Sequence, residues 1–515
     1  MRKRIWAVHS GRSRITWKRA VWWGLAGLLP LLIVLSLTPA SDFNTPSVRA
    51  ADPPATTLTT VASTVTQTTV DVVIYGTQTS GITAAHEIVT EDPHLRVAII
   101  SSGQYLESPL AQGLCVEDAR EVSKIAGGAY EEWRRDVISY YQQRGEKPFT
   151  PSAGRFVYEP AVASGYLWAL LENKLGTPIV FYPAKLVAAS DSGPDRQVTV
   201  RMASGQLVTI HTSYFIDASV EADLARLLGA SYRIGRDEKV YNDVGGRTPA
   251  YPSAANAYAT APQRLSVLLT FTMADAGGVP NQGDTTTTAA PLDSVTAVPL
   301  SADAVRNFDA SWSMVVARLP GGVHELNQPW SDYPDISLAY QWVFEPSKRK
   351  AVAERAVQRA LGQVSYLQQN GYPQIRVVHI PDYPYVREGP RVMGVTTYTL
   401  ADILRGSARE VVAIGCYAQY DRHDAFLPTQ IDSTAFVRVP MHALMVAGHP
   451  WLLVSTAIST DFEAYSSAVR TEIARANVGG AAGIMVVLAA ENGVDPTNVP
   501  YEKVRALLEQ RGYKL

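Results

Sequence analysis

Cysteine and charge are both scarce in this chain: 515 residues carry 2 Cys, and only 18% are Asp, Glu, Lys or Arg. Cys115 and Cys416 are too few for a disulfide framework and lack the spacing of a metal site, which leaves one disulfide or two buried thiols open. The nine His form no HxxxH-type cluster, so no metal centre is expected. A basic excess is missing as well. The formal net charge is −2, and residues 1–50 hold eight Lys or Arg against one acid, Asp42, so the remainder stands at about −9. A body of that sign repels phosphate backbones, which excludes a nucleic-acid-binding role. What is present is apolar: 46% hydrophobic residues over this length bury a large core, predict two or three domains and exclude disorder as the main state.

Between Arg19 and Asp42 charge is absent, and residues 21–35 form an apolar run nearly long enough to cross a hydrocarbon layer of about 30 Å. Basic residues before it keep the amino end cytoplasmic and place everything after it outside, so the protein is expected to be extracytoplasmic, secreted or membrane-anchored. Residues 1–50 read as a signal peptide ending near Val48-Arg49-Ala50 or as an uncleaved anchor, which would hold the protein to the membrane. Residues 51–69, rich in Thr, Pro and Ala, read as a linker.

From Val70 the pattern changes. Val70-Asp71-Val72-Val73-Ile74-Tyr75 is a short β-branched strand ending at Gly76, residues 81–89 suit a helix packed on a sheet, and residues 96–101 form a second buried strand. This is a βαβ unit, which requires a parallel sheet and a right-handed crossover. Its turn, Gly76-Thr77-Gln78-Thr79-Ser80-Gly81, keeps the first and last glycines of the dinucleotide fingerprint and has Gln78 in the middle. The last glycine permits close packing of helix on strand, and the missing one lets a pyrophosphate approach the backbone. Ser101 stands where a ribose-binding acid is expected; its hydroxyl can bond a ribose without the strength of a carboxylate. Further on, residues 198–202 and 207–211 flank Gly205 as a hairpin, residues 214–219 are another buried strand, residues 281–302 read as a surface insertion, and residues 351–369 and 501–510 read as helices.

The stretch Tyr214-Phe215-Ile216-Asp217-Ala218-Ser219-Val220-Glu221-Ala222-Asp223-Leu224, followed by Gly229-Ala230-Ser231, resembles the FAD-dependent oxidoreductase family with a glutathione-reductase-type flavin fold. Gly113-Leu114, Tyr385-Val386-Arg387-Glu388-Gly389-Pro390-Arg391, Asp421-Arg422-His423-Asp424, Val439-Pro440-Met441-His442 and Gly479-Gly480-Ala481-Ala482-Gly483 fit the same family in the same order, over nearly all of residues 70–515. The resemblance implies an α/β protein. A Rossmann-like FAD-binding domain with a parallel sheet (residues 70–240 and 431–492) carries an α+β substrate or cap domain (241–430) and a C-terminal helix (493–515), preceded by the export segment.

It also implies FAD as cofactor, held by Gly76, Thr77, Gln78, Ser80, Gly81, Ser101, Gly113, the strand tip Asp217, Ala218 and Ser219, and a helix over residues 468–488 that carries Arg470, Gly479 and Ala482. Such a helix would aim its amino end at the isoalloxazine, where partial positive charge stabilises the reduced flavin. The family's Pro in that helix is replaced by Ile473, and its Ala-Gly-Arg after the preceding strand by Ser455-Thr456-Ala457.

Catalytic candidates are His423, between Asp421 and Asp424, as a general base, and Arg387 with Glu388, where the guanidinium would hold an anionic or polyhydroxylated substrate or, alternatively, an Arg–Glu ion pair would fix a domain junction. The expected function is an exported FAD-dependent oxidoreductase moving a hydride from a small organic or carbohydrate-like molecule to flavin N5, with an unknown electron acceptor. The alternative is a non-catalytic, membrane-tethered binding protein on a degenerate flavin fold.

Overall fold

A computed structural model of the chain describes residues 65–117, 119–150, 154–172, 179–191, 196–235, 262–273, 295–301, 316–326, 335–417 and 436–515, with 292 and 305. The apolar segment 21–35, the cleavage site and His423 lie outside the described residues.

The βαβ unit forms as its pattern dictates. Strand β1 (Thr66–Thr69) precedes β2 (Val72–Tyr75), whose four side chains are all buried, then helix α1 (Thr79–Glu91) and β3 (Val97–Ser101). Runs buried on both faces belong in a parallel sheet covered by helices, which explains their lack of alternation. Next come β4 (Ile179–Ser190), β5 (Gln197–Met202), β6 (Leu207–His211), β7 (Tyr214–Asp217) and β8 (Leu452–Val454). They make one eight-stranded sheet in the order β1-β6-β5-β4-β3-β2-β7-β8. Pairing is parallel from β4 through β3, β2 and β7 to β8, and antiparallel where β4, β5 and β6 fold back on one another. Gly205 turns the last of these hairpins at φ +87°, a conformation open to glycine at no steric cost.

Helix α2 (Glu472–Asn492) is long and apolar enough to cross a membrane, yet it is buried in the core of this fold against α1. Its small residues permit the contact: a Cβ on Gly479 would lie 2.1 Å from the Ser80 carbonyl oxygen, and one on Gly483 would lie 2.6 Å from that of Ala84. The helix starts at Glu472, later than expected, because residues 465–469 form a π turn. Apolar spacing cannot separate a wide turn from the helix it leads into. Arg470 therefore precedes the helix.

The C-terminal helix α3 (Tyr501–Gln510) docks through Val504 and Leu508. Beyond it, the buried carboxylate of Glu87 on α1 accepts bonds from Arg511 Nε (2.7 Å), the Tyr513 hydroxyl (2.8 Å) and the Ala129 amide (3.2 Å). A second sheet of four antiparallel strands (Val316–Arg318, Val323–Leu326, Leu269–Met273, Ile375–His379) is covered by the helix Arg349–Gln369 and has its own apolar cluster around Phe271, Leu326 and Val364. Cys115 and Cys416 are both buried, and no disulfide joins them.

Candidate functional site

The turn after β2 is shaped by two glycines. At Gly76, φ is +99° and an added Cβ would stand 2.7 Å from the Ser219 nitrogen, so the chain slips past the tip of β7 only without a side chain. At Gly81 an added Cβ would stand 2.2 Å from the Gly76 carbonyl oxygen, so α1 can abut its own turn. The tip of β7 is tied to the turn by the Ala218 amide, which donates to the Tyr75 carbonyl at 2.7 Å.

The side chains of this turn are buried, and the hydroxyls of Thr77, Thr79 and Ser80 are bonded within the chain. The Thr77 amide donates to Glu107 Oε2 at 3.0 Å, and the Ser102 amide and hydroxyl donate to Glu107 Oε1 at 2.9 and 2.7 Å. Thr77 Oγ1 donates to Ser101 Oγ (3.2 Å) and accepts from the Glu107 amide (2.9 Å), and Ser101 Oγ donates to the Tyr105 carbonyl. On the first turn of α1 the Thr79 hydroxyl donates to Glu472 and accepts from Ser108 Oγ at 2.7 Å. Ser455 donates to Ser80, Ser80 to Thr456, and Thr456 to the Ala218 carbonyl, in one chain of hydroxyls. Gln78, the N-cap of α1, makes no side-chain cap and is 1% exposed. Glu472 is itself paired with Arg475 at 2.9 Å, both fully buried.

The strand tip closes on itself. Asp217 accepts from the Ser219 amide and hydroxyl (2.9 and 2.7 Å) and from the Ala225 amide (2.8 Å), and burial pushes its carboxyl up to about 7. These bonds order the loop into the short helix Asp223–Leu227.

Several expected site residues make close contacts within the chain. Gly113, at φ +116°, turns so that a Cβ would meet the Leu268 carbonyl oxygen at 2.2 Å, which places it against the segment leading into the strand Leu269–Met273. Gly479 and the fully buried Ala482 lie on the α1–α2 side of the core. Arg470 donates to the Tyr385 hydroxyl at 3.0 Å and to the Ser466 carbonyl, and lies over the Tyr417 ring. Of the two readings of residues 385–394, the ion pair is the one observed, formed by Glu388 and Arg391 at 2.8 Å with neither exposed beyond 1%. Arg387 is also buried, donating to Ser266 Oγ at 2.7 Å and stacked over Tyr385. A Cβ on Gly389 would overlap the Val220 carbonyl oxygen, so this segment is pressed against the loop that follows β7. Arg387 and Glu388, the catalytic candidates of this segment, are thus both fully buried beside the loop that follows β7.

An open cleft of about 1050 Å3 lies at the carboxyl ends of β2 and β3, where ligands enter doubly wound sheets. Tyr105, Val187, Tyr232 and Trp342 give it aromatic and apolar walls, and Lys185 and Lys350 add positive charge beside the acids Glu354 and Asp382, Glu354 lying 4.0 Å from Lys350. Arg349 holds Asp223 with both nitrogens (2.5 and 2.9 Å), and Tyr75 bonds the same carboxylate. Behind them Glu221 accepts from Trp342 Nε1 and the Tyr383 hydroxyl, and burial raises its pKa. Glu107, Glu221 and Glu472 were absent from the expected site. For Glu107 the signal in the sequence is an acid standing alone among small and apolar residues, whereas Glu221 and Glu472 lie among other charged residues and carry no such mark.

Tested against an FAD, the scaffold fits and the diphosphate seat does not. The glycine turn, the parallel sheet and the cleft suit a dinucleotide. Of the donors in the turn and on the first turn of α1, the Thr77 amide and the Thr79 hydroxyl already face carboxylates of the chain's own, Glu107 also takes the Ser102 donors at the ribose end, and Gln78 fills the place of the middle glycine.

The sequence matches the family described as FAD dependent oxidoreductase over residues 71–508. Among solved structures it is similar to a geranylgeranyl bacteriochlorophyll reductase-like protein from Thermoplasma acidophilum, with 12% identity, 87% of this chain and 85% of that one covered, and a TM-score of 0.37. It is similar to a flavoprotein/dehydrogenase from Cytophaga hutchinsonii (10%, 86% and 82%, 0.35) and to a p-nitrophenol 4-monooxygenase from Pseudomonas putida DLL-E4 (12%, 64% and 70%, 0.32). No curated protein matches the chain.

Proposed function

The chain belongs to the FAD-dependent oxidoreductase family, whose cofactor is FAD, and from that premise we propose that it is an exported oxidoreductase acting on a small organic or carbohydrate-like substrate. The observation that carries this reading is the Gly76–Gly81 turn, wedged between the tip of β7 and α1, which is the supporting structure of a dinucleotide site. FAD, when bound, supplies a two-electron acceptor for a substrate hydride. The chain's own contribution is to bind and orient. The aromatic walls of the cleft suit a ring, and Lys185 and Lys350 suit anionic or hydroxyl groups on it. Export rests on the basic residues before segment 21–35, with a cleaved leader and a membrane anchor as the two forms it can take.

The test is the visible spectrum of the full-length chain purified from its own membranes or medium. Yellow protein releasing FAD on denaturation supports the reading. Colourless protein that takes up no added FAD supports the alternative, a non-catalytic binding protein on a degenerate flavin fold, which the carboxylates in the diphosphate seat favour.

A further inference from the structure

In a dinucleotide site of this kind the diphosphate draws hydrogen bonds from the strand-to-helix turn and from the amino end of the helix that follows. Here a buried anion is already there on each side. Glu107 bridges the ends of β2 and β3, one oxygen on the Thr77 amide and the other on the Ser102 amide and hydroxyl. Glu472 arrives from 393 residues away along the chain to meet the Thr79 hydroxyl on the first turn of α1. α1 has no acid of its own in that turn and no side-chain cap, so the negative charge that its dipole favours comes from elsewhere in the fold. A carboxylate and a diphosphate have the same sign, and in a dry site they cannot share the same donors.

We infer that Glu107 and Glu472 are resident anions that close the diphosphate seat, and that FAD enters only by displacing them. This rests on the FAD reading above. Two details accord with it. Glu107 stands on a loop between β3 and Ser108, so it can withdraw without breaking a strand. Withdrawal of Glu472 would leave the buried guanidinium of Arg475, bonded to it at 2.9 Å, as a cation suited to phosphate.

The experiment is a titration of the detergent-solubilised full-length chain with FAD, followed by quenching of flavin fluorescence. It compares the unmodified chain, Glu107→Gln, Glu472→Gln, the double variant, and Glu131→Gln, an exposed acid on another helix. Each of the first two substitutions is expected to tighten the Kd at least about tenfold, the pair more, and Glu131→Gln not at all. Equal affinity in all five overturns the inference and leaves the FAD reading standing. Binding in none of them overturns both. A second measurement needs no variant: in the FAD-free chain the Thr77 and Ser102 amides should exchange with solvent as slowly as those of β2, and rapid exchange at both would show an open seat.

Discussion

Glu472, on the first turn of α2, accepts a hydrogen bond from the Thr79 hydroxyl on the first turn of α1, so the amino ends of two core helices converge on one carboxylate. The dipoles of both helices favour negative charge at that point.

The first prediction concerns two kinds of glycine. Gly81→Ala puts a Cβ against a backbone oxygen that cannot move aside, and should cost about 1–3 kcal/mol by overpacking. Gly205→Ala has open space around it and only an unfavourable φ, so about 1 kcal/mol is expected. Urea unfolding midpoints separate the two.

The second is a pH dependence. Burial raises the Asp217 carboxyl from 3.8 to about 7. Between those values the native chain holds a proton that the unfolded chain has released, so the contribution of Asp217 to stability is fully present at low pH and declines as pH rises toward 7. Asp217→Asn cannot titrate. From pH 5 to pH 7 its stability should therefore fall by about 2 kcal/mol less than that of the unmodified chain, as read from denaturation curves at the two values.

The third concerns the C-terminal anchor. Glu87→Ala leaves the Ala129 amide and the Tyr513 hydroxyl without their buried acceptor and Arg511 without its inner partner. A loss of about 3 kcal/mol is expected, with faster amide exchange over residues 501–513.

The fourth tests residues 385–394 as a junction. Glu388→Met or Arg391→Met alone strands a buried charge and should destabilise by about 3 kcal/mol, whereas the double variant should recover most of the loss. A double-mutant cycle with a coupling energy near zero would contradict this assignment.

The sheet was legible where chemistry is local. Residues 72–75, 97–101 and 214–217 are runs of β-branched and aromatic residues, and the glycine turn after Tyr75 marks where the first of them stops. The site was legible only in part. Gly479 and Ala482 are visibly small, yet sequence does not say whether smallness admits a ligand or another helix, and here Gly479 admits α1. Glu107 and Glu472 could not be placed because their roles depend on partners up to 393 residues distant. The ion pair of Glu388 and Arg391 was legible as one of two options because the residues are three apart, but its burial depends on the approach of the loop after β7.

The close crossing of α1 and α2 determines which part of the molecule can move. With the Gly479 backbone pressed on Ser80 and that of Gly483 on Ala84, neither helix can slide or roll without a collision of main chains. The two helices therefore stay in place as a frame, and the withdrawal proposed for Glu472 has to come from its side chain alone.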